Sequence, residues 1–486
     1  MASYRRFAIV LMMFLGVHFA LSMALSGSFT PDDADQLIFS QSLAAGYYEQ
    51  PPLYSWLSWL SFKLLGLHYA SYFLVKSFSL GLVYVGCFCC ARLLGLRGST
   101  AVLATFLLLL MPTFAWHSFS YLTNTNLVCA ATAMTFYVIG RLERSEHWIN
   151  YALLGTTLGL GFLSKYNFTL VAAALLIAAL TVPSLRRRLL NYRMLLAIVI
   201  VAVLVLPNLI WLFDHRTAVV AVLDQKLHGP AVDHQFGRLR GFATLFSNVG
   251  LILLPTAAVF AVFRTQLERL RNFTDIQRLF VRFFIVAVGV LLLLILLGRA
   301  SRFHERWLQP FTLLVPLFAF TSCKVRSAGT LRGLAIIVVV AGLAYAGVRT
   351  GQIFFGGFDR GVYPLQMDFT GAARTLSGRG GPGAIVISQD RELAGNLRYQ
   401  LPTARHLTSS HPLYLPPLDG FKGPWILVWN QRNGNTLPND LREFSVTTLG
   451  LNISEELPVE FVDLPPKLSG RRTNRLAYIV VPQSRY

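Results

Sequence analysis

Long apolar runs separated by short basic turns constrain this chain more than any other feature. The first begins at Phe7, and others recur near 71–91, 99–116, 122–140, 149–164, 168–183, 194–213, 244–263, 281–298, 307–322 and 331–349. A bilayer offers no hydrogen-bond partner to an exposed peptide group, so runs of this kind must satisfy their own backbone as helices. The pattern predicts a polytopic α-helical membrane protein of about eleven spans, each needing roughly 20 apolar residues. Composition agrees: 54% of the residues are hydrophobic and 14% are charged, against about 25% charged in soluble domains.

The first run follows Arg5 and Arg6 and reaches about Leu25, the flanks of a signal peptide or of a first span. Its length, the lack of a small-x-small cleavage pattern and the many runs behind it favour a retained helix. Lys and Arg set the orientation. Arg92 and Arg97, Arg141 and Arg144, Arg186 to Arg188 with Arg193, Arg264 to Arg278, and Lys324 to Arg332 fall in alternate loops. The positive-inside rule puts those loops and the N-terminus in the cytoplasm, so the loop after the first run and everything past 350 face outward. The formal charge of +20 then reads as topology and lipid headgroups, not as a nucleic-acid surface.

Near residue 350 the long runs stop and Gly and Pro punctuation begins. Residues 383–388, 425–429 and 476–481 read as buried strands and 391–401 as a helix, which predicts a small C-terminal α/β domain. The expected division is a transmembrane domain, 1–349, with an external loop at 26–70, followed by an outward-facing α/β domain, 350–486. Cys87, Cys89, Cys90, Cys129 and Cys323 lie in or at the edge of apolar runs. They read as helix packing, with neither a zinc pattern nor a disulfide framework.

One external stretch is chemically dense: Pro31-Asp32-Asp33-Ala34-Asp35-Gln36, then Gly46-Tyr47-Tyr48-Glu49-Gln50-Pro51-Pro52-Leu53. A plain reading is a helix start with acids at its positive end. Residues 36–45, however, carry an amphipathic pattern suited to an interfacial helix, Tyr47 and Tyr48 suit the headgroup zone, and Pro51-Pro52 stops the helix. A second interfacial segment starts at Leu53. On the residues alone, a capped turn and a catalytic loop both stay open.

Asp-Asp-Ala at an outer membrane edge, then Ser40-Gln41-x-Leu43, then Gly46-Tyr-Tyr-x-x-Pro-Pro-Leu-x-x-Trp56, resembles the first external loop of the family 39 polyprenyl-phosphate-sugar glycosyltransferases. These GT-C-fold enzymes include the protein O-mannosyltransferases, the lipid A aminoarabinose transferase and the rhizobial lipopolysaccharide-core galacturonosyltransferases. Gly159-Leu-Gly-Phe-Leu-Ser-Lys165-Tyr166-Asn167 and Arg302-Phe-His-Glu-Arg306-Trp307-Leu-Gln-Pro310 are similar as well. The segment from Ser388 to Pro402 is similar to the bacterial lipopolysaccharide branch, so the likeness covers almost the whole chain.

The resemblance implies an inverting transfer of a sugar from a polyprenyl phosphate, without a covalent enzyme intermediate. Asp32 maps to the base that takes the acceptor proton, and Asp33 to a second acidic position that is usually Glu. Gln50 stands where the family usually has Lys beside the donor phosphate. An amide donates hydrogen bonds but brings no charge, so Lys165, Arg302 and Arg306 become the candidate phosphate ligands. For each, a snorkelling anchor is the alternative. Tyr47, Tyr48, Glu49 and His304 are candidate substrate-binding residues. No cofactor is expected, and a divalent cation is not indicated. His228, Asp233 and His234 lack ligand spacing and read as part of a solvated loop.

The expected donor is a polyprenyl-phosphate-linked sugar, with galacturonic acid favoured by the rhizobial resemblance. The expected acceptor is a lipopolysaccharide core or lipid A hydroxyl at the periplasmic face of a bacterial inner membrane. Membrane lipids are the other partner, and nucleic acid is not. Two rivals come from other classes. A transporter or flippase of lipid-linked sugar needs ionisable groups near the midplane, and these are scarce here. A non-catalytic envelope scaffold is favoured only by Gln50.

Overall fold

The computed structural model describes residues 2–47, 50–118, 123–228, 237–269, 272–355, 367–466 and 473–482. Its contacts form two compact units. The first comprises Met1–His18, Glu49–Leu53 and Lys76–Ala346; the second comprises Phe19–Tyr48, Tyr54–Val75 and Gly347–Tyr486. The external loop, placed with the spans by sequence, is therefore grouped largely with the C-terminal region.

The helices run α1 (Ala2–Leu25), α2 (Pro31–Phe39), α3 (Leu53–Leu65), α4 (Tyr69–Leu93), α5 (Gly98–Phe106), α6 (Pro112–Ser118), α7 (Asn124–Arg144), α8 (Trp148–Ser164) and α9 (Phe168–Thr181). They continue as α10 (Pro183–Leu189), α11 (Met194–Asp214), α12 (Arg216–His228), α13 (Gly237–Val262), α14 (Asp275–Leu296), α15 (Glu305–Thr312), α16 (Val315–Thr321) and α17 (Ala328–Phe355). Among the described residues six, α1, α4, α11, α13, α14 and α17, are long and apolar enough to cross a membrane. The α9–α10 pair would make a seventh if it is one span.

The other apolar runs give shorter, broken or more polar helices, and proline explains several of the breaks. A 3₁₀ turn at Leu107–Leu110 leads to Pro112. Pro183 bends α9 into α10 by 116°. The run at 307–322 divides after Thr312 into α15, which carries Pro310 inside it, and α16, which opens with Pro316 in its first turn. Proline lacks the helical donor and crowds the preceding turn, so a continuous apolar run need not be a continuous helix. In α7, Asn124, Asn126, Thr132 and Thr135 are buried within the protein, an enclosed helix having no need of an apolar exterior.

The first unit packs around one apolar core in which Phe136 and Phe280 lie 3.9 Å apart between ring centroids. α8 and α11 approach so closely at Gly155 that a Cβ there would sit 2.6 Å from the Ala197 carbonyl oxygen. Leu195, Val199, Val203 and Leu206 of α11 are exposed, the apolar surface expected of a helix solvated by lipid. Two short strands, β1 (Leu267–Arg269) and β2 (Cys323–Val325), pair antiparallel.

The second unit contains the α/β layer expected from sequence. Its strands are β3 (Ile385–Ser388), β4 (Arg405–Thr408), β5 (Trp425–Asn430), β6 (Glu460–Leu464) and β7 (Asn474–Val481), in the order β4-β3-β5-β7-β6. β3 is parallel to β4 and β5, and the remaining pairs are antiparallel. Side chains alternate between two cores. Val386, Ile426 and Val428 meet Leu376 of α18 (Thr370–Gly380) and Leu397 of α19 (Arg391–Gln400). Ile387, Leu427 and Trp429 meet Leu441, in α20 (Asn439–Glu443), and Phe444 on the other face.

α2 departs from the expected interfacial helix over 36–45. It begins at Pro31, ends at Phe39, and buries every residue from Asp33 to Phe39. The reason is α19, which crosses it so closely that a Cβ on Gly395 would lie 2.5 Å from the Ala34 Cα. Asn396 holds the Phe29 backbone from both sides, accepting from its N–H at 2.7 Å and donating to its carbonyl at 3.1 Å. Gln41 makes the same double bond with His406, at 2.7 and 3.0 Å. This α2 part of the loop is thus covered by the chain itself, whereas α3 leaves Leu60, Leu64 and Leu65 exposed.

Candidate active site

Pro31 at the first helical position and Asp32 and Asp33 in the first turn are the residue types that open a helix, proline having no N–H to lose and the acids meeting the positive end. The three carboxylates then diverge. Asp33 is buried, accepting from the Tyr72 hydroxyl at 2.5 Å and the Thr30 hydroxyl at 2.7 Å. Asp35 is fully buried between Arg391 Nη1 at 2.6 Å and His411 Nε2 at 2.7 Å. A carboxylate removed from water needs such partners.

Asp32 and Asp35 stand three residues apart on one helical face. Arg391 spans that face, its Nη2 3.6 Å from Asp32 Oδ1 while Nη1 serves Asp35. The Asp32 side chain keeps 19% of its surface exposed, against 0% for Asp35. The Asp32–Asp35 spacing was a readable signal for this pairing, and Arg391 lies inside a segment singled out by sequence. Nothing local marked His411 or Tyr72.

Tyr47, a candidate substrate-binding residue from sequence, packs inside the loop. It is fully buried, donates to the Ser42 carbonyl at 2.8 Å, accepts from the Ala44 N–H at 3.1 Å and packs on Phe39 and Tyr414. Burial holds its phenol well above the ordinary range. Its ring closes the loop from inside. Tyr48, Glu49, Asp233, His234 and the His228 side chain lie outside the described residues.

In the first unit, the opening turn of α7 gathers two of the candidates. Gln50 Oε1 accepts from Asn124 Nδ2, and Lys165 Nζ donates to Thr125 Oγ1 at 3.0 Å. This is the positive end of a helix, where anions are stabilised. Two residues past Lys165, Asn167 Nδ2 donates to the Trp307 carbonyl at 3.2 Å and ties this segment to α15.

His304 caps α15. Burial, then the charges of Arg302 and Arg306, hold its imidazole below the ordinary value. A hydrogen bond from His117 at 2.7 Å is the main cause of the lowered value at Glu305. Gln50, Lys165, Arg302, His304 and Arg306 therefore belong to two adjoining helix starts. Sequence reasoning missed Asn124 and Thr125, which look like ordinary helix-opening residues. Among the described residues no three His, Cys, Asp or Glu side chains group to hold a metal ion.

Over 97% of its length this chain resembles the crystal structure of ArnT from Cupriavidus metallidurans bound to undecaprenyl phosphate, with TM-score 0.65, 13% identity and 97% of that chain covered. The fold is GT-C, that of a membrane glycosyltransferase. The family described as dolichyl-phosphate-mannose-protein mannosyltransferase matches residues 49–211. The lipopolysaccharide core galacturonosyltransferase RgtB of Rhizobium johnstonii is 31% identical, over 91% of this chain and 90% of its own. RgtA of the same organism is 28% identical, over 86% and 85%. The chain belongs to the GT-C family of polyprenyl-phosphate-sugar glycosyltransferases in which these lipopolysaccharide enzymes stand.

Proposed function

We propose that the protein moves a sugar, galacturonic acid in the first instance, from a polyprenyl phosphate to a hydroxyl of the lipopolysaccharide core or lipid A. The reaction is placed at the periplasmic face of a bacterial inner membrane, with the α/β region on that side. The observation that carries this reading is the separation of the α2 carboxylates. Asp33 and Asp35 are enclosed with their partners, whereas Asp32 keeps solvent access beside a fixed guanidinium. A base must reach its proton, and a carboxylate held this way can. The two Rhizobium johnstonii relatives, both named as core galacturonosyltransferases, support the choice of sugar and acceptor.

In this reading the acceptor oxygen attacks the anomeric carbon while its proton passes to Asp32. The bond from that carbon to the phosphate oxygen breaks, inverting the centre and releasing polyprenyl phosphate. The leaving group gains charge as it departs, so preorganised cations lower the barrier. Lys165 at the α7 start and Arg302 and Arg306 at the α15 start take that role. Through Asn124 and Thr125, Gln50 and Lys165 share adjacent residues of one helical turn. Lys165 thereby supplies the charge that Gln50 lacks.

Gln50→Lys is expected to leave the transfer rate unchanged or raise it, read with purified enzyme and lipid-linked donor. A loss of more than about tenfold, worth roughly 1.4 kcal/mol, would show that the bond from Asn124 is itself required. The reading as a whole is tested by mass spectrometry of lipopolysaccharide from cells with and without the gene. A difference of one uronic acid residue is expected; identical lipopolysaccharide and lipid A in both strains would overturn it.

A further inference from the structure

The α/β layer holds a feature that the transfer chemistry does not use. β3 and β5 are parallel neighbours, but the chain leaves β3 for β4 on one side and leaves β5 for β6 and β7 on the other. The strand order reverses between them. In open α/β sheets the crevice beyond the carboxyl ends of such a pair is where small ligands bind. A cavity opens there, lined by Asp390 and Glu392 after β3, Asn430 and Arg432 after β5, Asn474 at the start of β7, and Phe369.

Its chemistry narrows the guest. Phosphate commonly occupies a helix N-terminus at this place, but the Asp390 carboxylate already accepts from Leu393 N–H at 2.7 Å and caps α19. The Asp390 charge disfavours a second anion at that helix start, and Arg432, the cation among the lining residues, donates to Asn474 Oδ1. Two acids do not make a metal cage, and the described residues contain no larger group.

What remains is hydrogen bonding to hydroxyls over an apolar wall. Asn430 Oδ1 accepts from Arg432 N–H at 3.1 Å, which fixes the amide, and its Nδ2 has no protein acceptor among the described residues. The Glu392 carboxyl likewise has no hydrogen-bond partner among them. Burial and then the Asp390 charge push Glu392 up to about 7, so near neutrality it can both donate and accept.

We propose that this crevice binds an uncharged pyranose ring of the acceptor glycan, its hydroxyls on Glu392 and Asn430 and its C–H face against the apolar lining. The proposal rests on the reading of the acceptor as a lipopolysaccharide saccharide. Successive residues of a helix face different ways, and α19 uses this. Arg391 reaches Asp32 and Asp35 on one side, while Glu392 lines the crevice on the other. One helix start therefore carries both the support of the candidate base and a saccharide subsite.

The test is saturation-transfer NMR with the purified full-length protein and a lipid-free core oligosaccharide, released by mild acid from rough lipopolysaccharide. Transfer to pyranose protons is expected in the wild type. Glu392→Gln and Asn430→Ala should each weaken binding at least fivefold, with melting temperatures unchanged. Equal binding by both variants, no binding by the wild type, or displacement of the oligosaccharide by inorganic phosphate would each overturn the subsite. Failure of the enzymatic reading shows separately, as wild-type enzyme that transfers no sugar to intact lipopolysaccharide.

Discussion

Asp32→Asn is expected to lower sugar transfer by roughly 10²–10⁴-fold, the usual worth of a positioned general base, while the melting temperature hardly moves. The geometry separates the two readouts. Asp32 is partly exposed and only 3.6 Å from Arg391, which has a much closer partner in Asp35. A partly exposed pair of that length contributes about 0–1 kcal/mol. The amide keeps the shape of the side chain and loses the ability to take a proton. Purified variant and wild type compared with the same lipid-linked donor decide the matter, and a rate near wild type would remove Asp32 as the base.

Asp35→Ala should have the opposite profile, with stability lost first. Breaking a buried charge pair costs about 3–5 kcal/mol, because the partner is left uncompensated. Here two partners are left: His411, which is itself buried, and Arg391. Transfer should fall too, since Arg391 is then free to leave its place beside Asp32. Thermal unfolding in detergent measures the first effect and transfer by the surviving folded fraction the second. An Asp35→Ala protein as stable as wild type would show that this network does not hold α2 against α19.

The sequence made the helical class, the α/β layer and the helix start at Pro31 legible, because periodicity, proline and acids act locally. Three of the five strands of the main sheet were readable as continuous apolar runs. β4, Arg405–Thr408, and β6, Glu460–Leu464, were not: the first is four residues with two basic side chains, and the second leaves Phe461 and Asp463 exposed. The number of apolar runs also exceeded the number of long apolar helices among the described residues, since hydropathy does not register what Pro112, Pro183 and Pro316 do to a helix.

Within the candidate site, sequence singled out the α2 stretch but could not rank its acids by exposure. Asp32, Asp33 and Asp35 have the same chemistry and nearly the same position. What distinguishes them are Tyr72, Arg391 and His411, and in a linear reading none of these points toward α2. Tyr47 presents the same difficulty. Its amphipathic ring suits a lipid headgroup zone as well as a core closed by Tyr414, and only the distant chain chooses between them.

That distance also governs how the molecule comes into being. Arg391 and His411 follow Asp35 by 356 and 376 residues. At about 5–20 residues per second, the ribosome delivers His411 roughly 20–75 s after α2. Until then Asp35 is a carboxylate without the partners that permit its burial. The first loop to be made is among the last to be finished. The early helices are therefore made well before α2 can reach the partners that bury Asp35.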